Sequence, residues 1–134
     1  MHIEKALFDK LFTAAVNAQK NAYAPYSNFK VGSAIITEND ETIYTGCNVE
    51  NRSNGATVCA ERVAISDIIK TKGECKIKHL LVVSTTDKET IAPCGICRQT
   101  LVEFGPLTAH VYICDSKRGL VHETTLKDLV PLPF

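Results

Sequence analysis

Neither sign of charge dominates this 134-residue chain: fifteen lysines and arginines stand against fifteen aspartates and glutamates. Without a net charge there is no electrostatic footprint for tracking a polyanionic backbone or a membrane surface. The expected substrate is therefore small, and neither nucleic acid nor membrane is an expected partner. Long apolar runs are missing too. Nothing approaches the ~18 residues of a membrane span, and Glu4, Lys5, Asp9 and Lys10 break up any signal-peptide core, so the expected compartment is the cytoplasm. No repeat, linker or low-complexity stretch divides the sequence. Its length suits a single domain, residues 1–134, that buries roughly two-thirds of its unfolded surface. A second CxxC pair is also absent, and a structural zinc ribbon would need one, or a fourth ligand.

What is present is one cysteine, Cys59, and some thirty residues later the pair Cys94 and Cys97. Three soft thiolates are a ligand set that zinc prefers, and three protein ligands leave the fourth tetrahedral position open for chemistry. Glu61, two residues past Cys59, is a carboxylate placed to handle protons at whatever occupies that position. Arg62, three residues past Cys59 and so on the same helical face, can donate to a ligand sulfur and withdraw charge from an anionic three-thiolate centre. Taken singly, each signal has a plainer reading: Cys59 as a small core residue, the CxxC as a redox pair, Glu61 and Arg62 as a solvated helix face. Their conjunction favours zinc, since a redox pair has no need of Cys59 and Glu61. The other cysteines, Cys47, Cys75 and Cys114, read as buried thiols. His79, His110 and His122 fall in expected strands or strand edges without ligand spacing and read as ordinary surface or edge residues.

Periodicity supplies the frame. Ile3, Leu7, Phe8, Leu11, Phe12, Ala15 and Val16 form one stripe of an amphipathic helix over residues 3–20. Pro25 and its polar neighbours turn the chain into a buried strand over 29–37, which the Asn39-Asp40 turn pairs with 42–47 as a hairpin. A helix capped by Thr57 should run from 58 to about 70, ended by Gly73. The run Leu80 to Val83 reads as a central strand in 78–84. After a loop over 85–92 come a helix from 95 to 104, strands over 109–114 and 120–124, and a short helix over 125–130. Strands interleaved with helices imply an α/β class chain, a mixed sheet inside a three-layer α/β/α sandwich.

Five stretches, AYAPYSNFKVG (22–32), GCNVEN (46–51), CAER (59–62), PCGICRQ (93–99) and LVPLPF (129–134), occur in the order and at the spacing of the small homotetrameric cytidine deaminases, of the three-cysteine zinc type. The chain resembles that family over nearly its whole length. The resemblance implies a five-stranded mixed sheet with one zinc per subunit at helix N-termini, held by Cys59, Cys94 and Cys97. It implies hydrolytic deamination of cytidine, and of deoxycytidine, in pyrimidine salvage. Glu61 would take the proton of water, pass it to N3 and help protonate the departing ammonia. By the same resemblance Phe29 stacks on the pyrimidine, Asn48 and Glu50 bind the ribose 3′-hydroxyl, and the backbone of Ala60 helps hold the base. Phe134 matches a phenylalanine that approaches a neighbouring subunit's pocket, so active sites in a homotetramer would be shared.

Two positions depart from the family pattern. Arg52 stands where relatives usually carry a small residue and Asn54 where they carry an aromatic, in the loop that reaches a neighbouring subunit's pocket. Arg52 is there either to meet a substrate phosphate or to pair with a neighbour's carboxylate. Alternative activities are a deaminase of another cytosine-like nucleoside such as blasticidin S, against which Glu50 and the intact NFKVG argue, or a noncatalytic zinc or dithiol module.

Overall fold

The computed structural model describes residues 2–86 and 91–134. Residues 87–90 of the expected loop over 85–92 lie outside the described residues. Five strands, β1 (Val31–Thr37), β2 (Tyr44–Cys47), β3 (Ile77–Ser84), β4 (His110–Asp115) and β5 (Gly119–Thr125), form one sheet in the order β2-β1-β3-β4-β5. β1 is antiparallel to both neighbours, β3 and β4 run parallel, and β5 is antiparallel to β4. The expected hairpin is β1–β2, and the Leu80–Val83 run lies in the central strand.

Alternation along the central strands sorts side chains onto two faces. Ala34, Ile36, Leu81, Val83, Tyr112 and Cys114 meet α1 (Lys5–Gln19) through Phe8, Leu11 and Ala15. Ile35, Leu80, Val82, Val111 and Ile113 face the other way, against Ala64, Ile65 and Ile68 of α2 (Ala60–Lys72) and Leu101 of α3 (Gly95–Phe104). Leu126 of the short α4 (Leu126–Leu129) closes that second core. The result is the three-layer α/β/α sandwich with a five-stranded mixed sheet.

Two glycines set how closely helices approach the sheet. A Cβ at Gly32 would overlap the carbonyl oxygen of Ala15, and one at Gly46 would overlap the carbonyl oxygen of Ala60 and crowd the Ala64 nitrogen. The first seats α1; the second lets the start of α2 rest directly on β2. The β1–β2 turn places Asn39 in the left-handed region (φ 61°), and Asp40 Oδ1 accepts from the Thr42 nitrogen at 2.9 Å. Lys72 Nζ, at the far end of α2, donates to Thr37 Oγ1 (3.0 Å) and Asp40 Oδ2 (3.1 Å), so the hairpin and α2 are tied at both ends.

Several expectations need correction. The N-cap of α2 is Cys59 and not Thr57, which instead follows a single 3-10 turn (Asn54–Ala56) and accepts from the Asn51 nitrogen through Oγ1 at 3.2 Å. β1 begins at Val31 and not at Phe29, because the Phe29 carbonyl bonds to the Asn48 side chain and no strand. Cys114 is buried, but Cys47 and Cys75 are only half-buried. His79 is not an edge or surface residue: it is 5% exposed, and its Nδ1 lies 3.2 Å from the Tyr112 hydroxyl.

Candidate active site

The site is built where α2 and α3 both begin. Gly46 admits the first turn of α2, and Ser33 Oγ of β1 donates to the Ala60 carbonyl at 2.8 Å, which fixes that turn against the sheet. Cys59, extended at φ −73° and ψ 156°, caps the helix with its backbone: its carbonyl accepts from the nitrogens of Arg62 (3.1 Å) and Val63 (3.2 Å). Its thiol makes no capping bond, so the sulfur is left for other work. Cys94 caps α3, its Sγ accepting from the Cys97 nitrogen at 3.5 Å.

These two caps bring Cys59 Sγ within 3.8 Å of Cys94 Sγ, and all three sulfurs of Cys59, Cys94 and Cys97 lie within 4.8 Å of one another as free thiols. Tetrahedral zinc with ordinary Zn–S bonds holds its sulfurs about 3.8 Å apart, so the donor set fits that ion without rearranging either helix. Both helix N-termini also direct positive dipole ends at the cluster and favour thiolate there. The Cys59 thiol is pushed down to about 5, first by the hydrogen bond from the Cys97 thiol, with Arg62 and Cys94 adding to it. Cys97 is pushed up for the reciprocal reason, its proton being committed to Cys59, and burial adds to this.

Arg62 Nη2 donates to the Thr57 carbonyl at 3.0 Å and lies 4.0 Å from Cys59 Sγ. Its Nε is buried and has no hydrogen-bond partner among the described residues. The guanidinium is thus held against the cysteine cluster, which places positive charge beside the sulfur as the spacing predicts.

Glu61 is 3% exposed, and its carboxyl is held above the usual carboxylate range, mainly by burial. It lines, with Cys59, Ala60 and Cys94, one side of a cavity of about 320 Å³. Phe29, Asn48 and Glu50 line the same cavity, so seven of the residues singled out in the sequence face one space. Glu50 is firmly set. Its Oε1 accepts from the backbone nitrogens of Tyr26 (3.0 Å) and Ser27 (3.1 Å), and its Oε2 from Ser27 Oγ (2.5 Å), bonds that hold its pKa below the ordinary value.

Cys97 and Arg62 stand behind the cavity wall and do not line it. Arg52, Asn54 and Phe134 are exposed and do not line it either, within this single chain. Sequence reasoning missed Ser27, the clasp of Glu50, and Ser33, the anchor of α2. Ser27 lies inside the AYAPYSNFKVG stretch, where a serine two residues before Phe29 was a readable signal; Ser33 had none, since it reads as one more small strand residue. Val31, Val82, Ile91, Ala92 and Pro93 add apolar lining.

Residues 7–114 match the family model described as the cytidine and deoxycytidylate deaminase zinc-binding region. A cytidine deaminase of Sporosarcina psychrophila is 41% identical over 126 residues, 94% of this chain and 90% of its own. That of Halalkalibacterium halodurans is 37% identical, covering 92% and 91%. The crystal structure of cytidine deaminase from Burkholderia pseudomallei superposes with a TM-score of 0.86 at 39% identity, over 94% of this chain and 98% of that one. With a family model spanning most of its length and a relative at 41% identity that it covers almost end to end, the chain belongs to the cytidine deaminase family of zinc-dependent hydrolases.

Proposed function

We propose that this chain hydrolyses the 4-amino group of cytidine and of deoxycytidine, consuming one water and releasing uridine or deoxyuridine and ammonia, in cytoplasmic pyrimidine salvage. One observation carries the reading: a buried carboxyl, Glu61, sits beside a three-thiol cluster at the wall of a cavity that also presents Phe29 and the clasped Glu50. Cys59, Cys94 and Cys97 would hold one zinc per chain, which would supply a Lewis acid that acidifies the attacking water. Glu61 takes one proton from the attacking water and delivers it to N3 as the C4–O bond forms, then takes the remaining hydroxyl proton and gives it to the amino nitrogen as the C4–N bond breaks and ammonia leaves. Its burial suits this: a carboxyl shielded from solvent and raised in pKa holds a proton between the two transfers instead of losing it to bulk water.

The rest of the cavity orients the nucleoside. Phe29 stacks on the pyrimidine ring. The Ala60 nitrogen, in the first turn of α2, has no acceptor within the helix and points the backbone at the base, while its carbonyl is already committed to Ser33. Asn48 Nδ2 gives one hydrogen to Phe29 and keeps a second for the sugar, and Glu50 accepts from the same 3′-hydroxyl. A site with both a donor and an acceptor around one hydroxyl rejects sugars that lack it.

The active assembly in this reading is a homotetramer. Phe134 and Leu132 are fully or almost fully exposed, an apolar pair left uncovered by the described residues of one subunit. Arg52 and Asn54 are exposed likewise, and the same assembly has them enter a neighbour's pocket near the 5′ side of the sugar. The test is to mix zinc-loaded protein with cytidine and follow the loss of ultraviolet absorbance, with light scattering on the same sample. Turnover by a particle of four chains is expected. Zinc-loaded protein that leaves cytidine unchanged would overturn the activity, and a fully active monomer would overturn the assembly.

A further inference from the structure

At the opposite end of the sheet from the cysteines, three further metal-binding side chains converge. The cavity described above borders the C-terminal end of β3 at Val82 and Ser84; His79 and His110 pair at the start of the parallel strands β3 and β4. There, over the α1 face of the sheet, His2 stacks on His110 with ring centroids 4.5 Å apart. Glu123 of β5 receives both the His2 backbone nitrogen (3.0 Å) and His2 Nδ1 (2.9 Å) on Oε1.

We propose that His2, His110 and Glu123 form a second metal site, for a divalent transition ion of the zinc, cobalt or nickel kind. One ring nitrogen from each histidine and one Glu123 oxygen lie within 4.8 Å of one another. Two imidazoles and a carboxylate are the mixed nitrogen and oxygen set that suits such ions and not magnesium or calcium. They come from three separate segments, so the ion would clip the segment ahead of α1 to β4 and β5.

Two observations beyond the clustering point to a ligand. First, His110 Nδ1 is buried and has no hydrogen-bond partner among the described residues, whereas the ring beside it, His79, is satisfied by Tyr112. A buried ring nitrogen without a partner is costly and is relieved by an acceptor, a donor or a metal. Secondly, a cavity of about 610 Å³ opens beside His2 and His110, lined by Glu4, Glu38 and Glu41 and by one lysine, Lys78, while Lys76 pairs with Glu38 at 3.2 Å from outside the lining. The carboxylates still outnumber the lysines, so the approach favours a cation. Nitrogen and oxygen donors on one tetrahedral ion sit about 3.4 Å apart, which requires some closing of the triangle. His2 provides it: its side chain is 70% exposed and free to swing off the stacked position, whereas Glu123, at 23%, is the fixed member.

The competing reading is that His2 and Glu123 form only an ion pair that latches the segment down. Untagged protein carrying its full complement of zinc at the cysteines, dialysed against excess free Zn²⁺ and measured for metal per chain, separates the two. A second ion per chain is expected in the wild type, with affinity lowered at least ~10-fold in both His2→Ala and Glu123→Gln. His2→Ala, exposed and outside the deaminase cavity, should keep normal turnover. Adding Co²⁺ to the same zinc-loaded protein should give ligand-field bands without sulfur charge transfer, which excludes spill-over into the cysteine cluster. A wild type that stops at one ion per chain, or a second ion held equally well by both variants, overturns the proposal.

Discussion

The side chain of Asn48 grips the backbone at Phe29: Nδ2 donates to the Phe29 carbonyl at 2.8 Å, and Oδ1 accepts from the Val31 nitrogen at 2.9 Å. The residue expected to bind sugar therefore also sets the ring expected to bind base. Asn48→Ala leaves two backbone groups without partners, a cost of about 1–3 kcal/mol for each that stays buried. The expected outcome is a lower melting temperature together with a raised KM for cytidine. Asn48→Asp keeps the acceptor for Val31 but turns a buried carboxylate oxygen toward the Phe29 carbonyl, so it should be destabilised at least as much as the alanine variant. A KM that moves with no change in stability would separate the two roles and contradict this coupling.

Glu61→Gln keeps the shape of the side chain and removes its capacity to carry a proton. Turnover should fall by at least the ~10²–10⁴-fold typical of a general acid or base, while metal content and melting temperature hold. Metal analysis alongside the ultraviolet assay decides this. A zinc-loaded variant with near-normal turnover would remove Glu61 from the chemistry.

Gly46→Ala drives a methyl into the Ala60 carbonyl at the point where α2 rests on β2. The clash is with backbone at the helix start, next to Cys59, so both stability and zinc retention should suffer, stability by about 1–3 kcal/mol. Gly55→Ala is the control, since a Cβ there meets nothing within 4 Å. Melting temperature and resistance to a chelator should drop for the first and not for the second.

Asp40 links acid stability to the β1–β2 turn. Its carboxyl is lowered to about 2, first by the hydrogen bond from the Thr42 backbone, with the Thr42 side chain and Lys72 adding to it. A carboxyl whose folded pKa lies below its unfolded value stabilises the fold above the unfolded pKa of 3.8, and that contribution is lost as pH falls through about 2. The groups facing it are Thr42, Lys72 and Tyr44. Asp40→Asn should therefore have a lower urea midpoint than the wild type near neutral pH, with the difference shrinking between pH 4 and pH 2. A difference that stays constant with pH would contradict the assignment.

The cysteine cluster was legible because its information is local. Cys94 and Cys97 meet through one helical turn, and Cys59, Glu61 and Arg62 share the first turn of another, so spacing alone placed each half. The long-range join between the halves needed the sheet order, which places β3 between β1 and β4 and which no local pattern specifies. Element boundaries failed where side chains replaced backbone partners. Phe29 reads as strand, but Asn48 takes its carbonyl; Thr57 reads as a cap, but the extended Cys59 takes that position. His79 reads as an edge residue because its partner, Tyr112, lies on a strand reached only through α3. The meeting of His2, His110 and Glu123 was beyond reading for the same reason, their contacts spanning up to 121 positions.

The sulfurs of Cys59 and Cys94 are 3.8 Å apart and belong to different helices, 35 residues from one another along the chain. A zinc ion held by both would act as a reversible cross-link between two segments that only the folded chain brings together. Ion supply would then set how long a folded chain survives: free zinc at a hundred times its dissociation constant would add up to about 2.7 kcal/mol to folding, less whatever the unfolded cysteines bind. Metal starvation would accordingly reduce the amount of this protein as well as its activity, through turnover of chains that open more often.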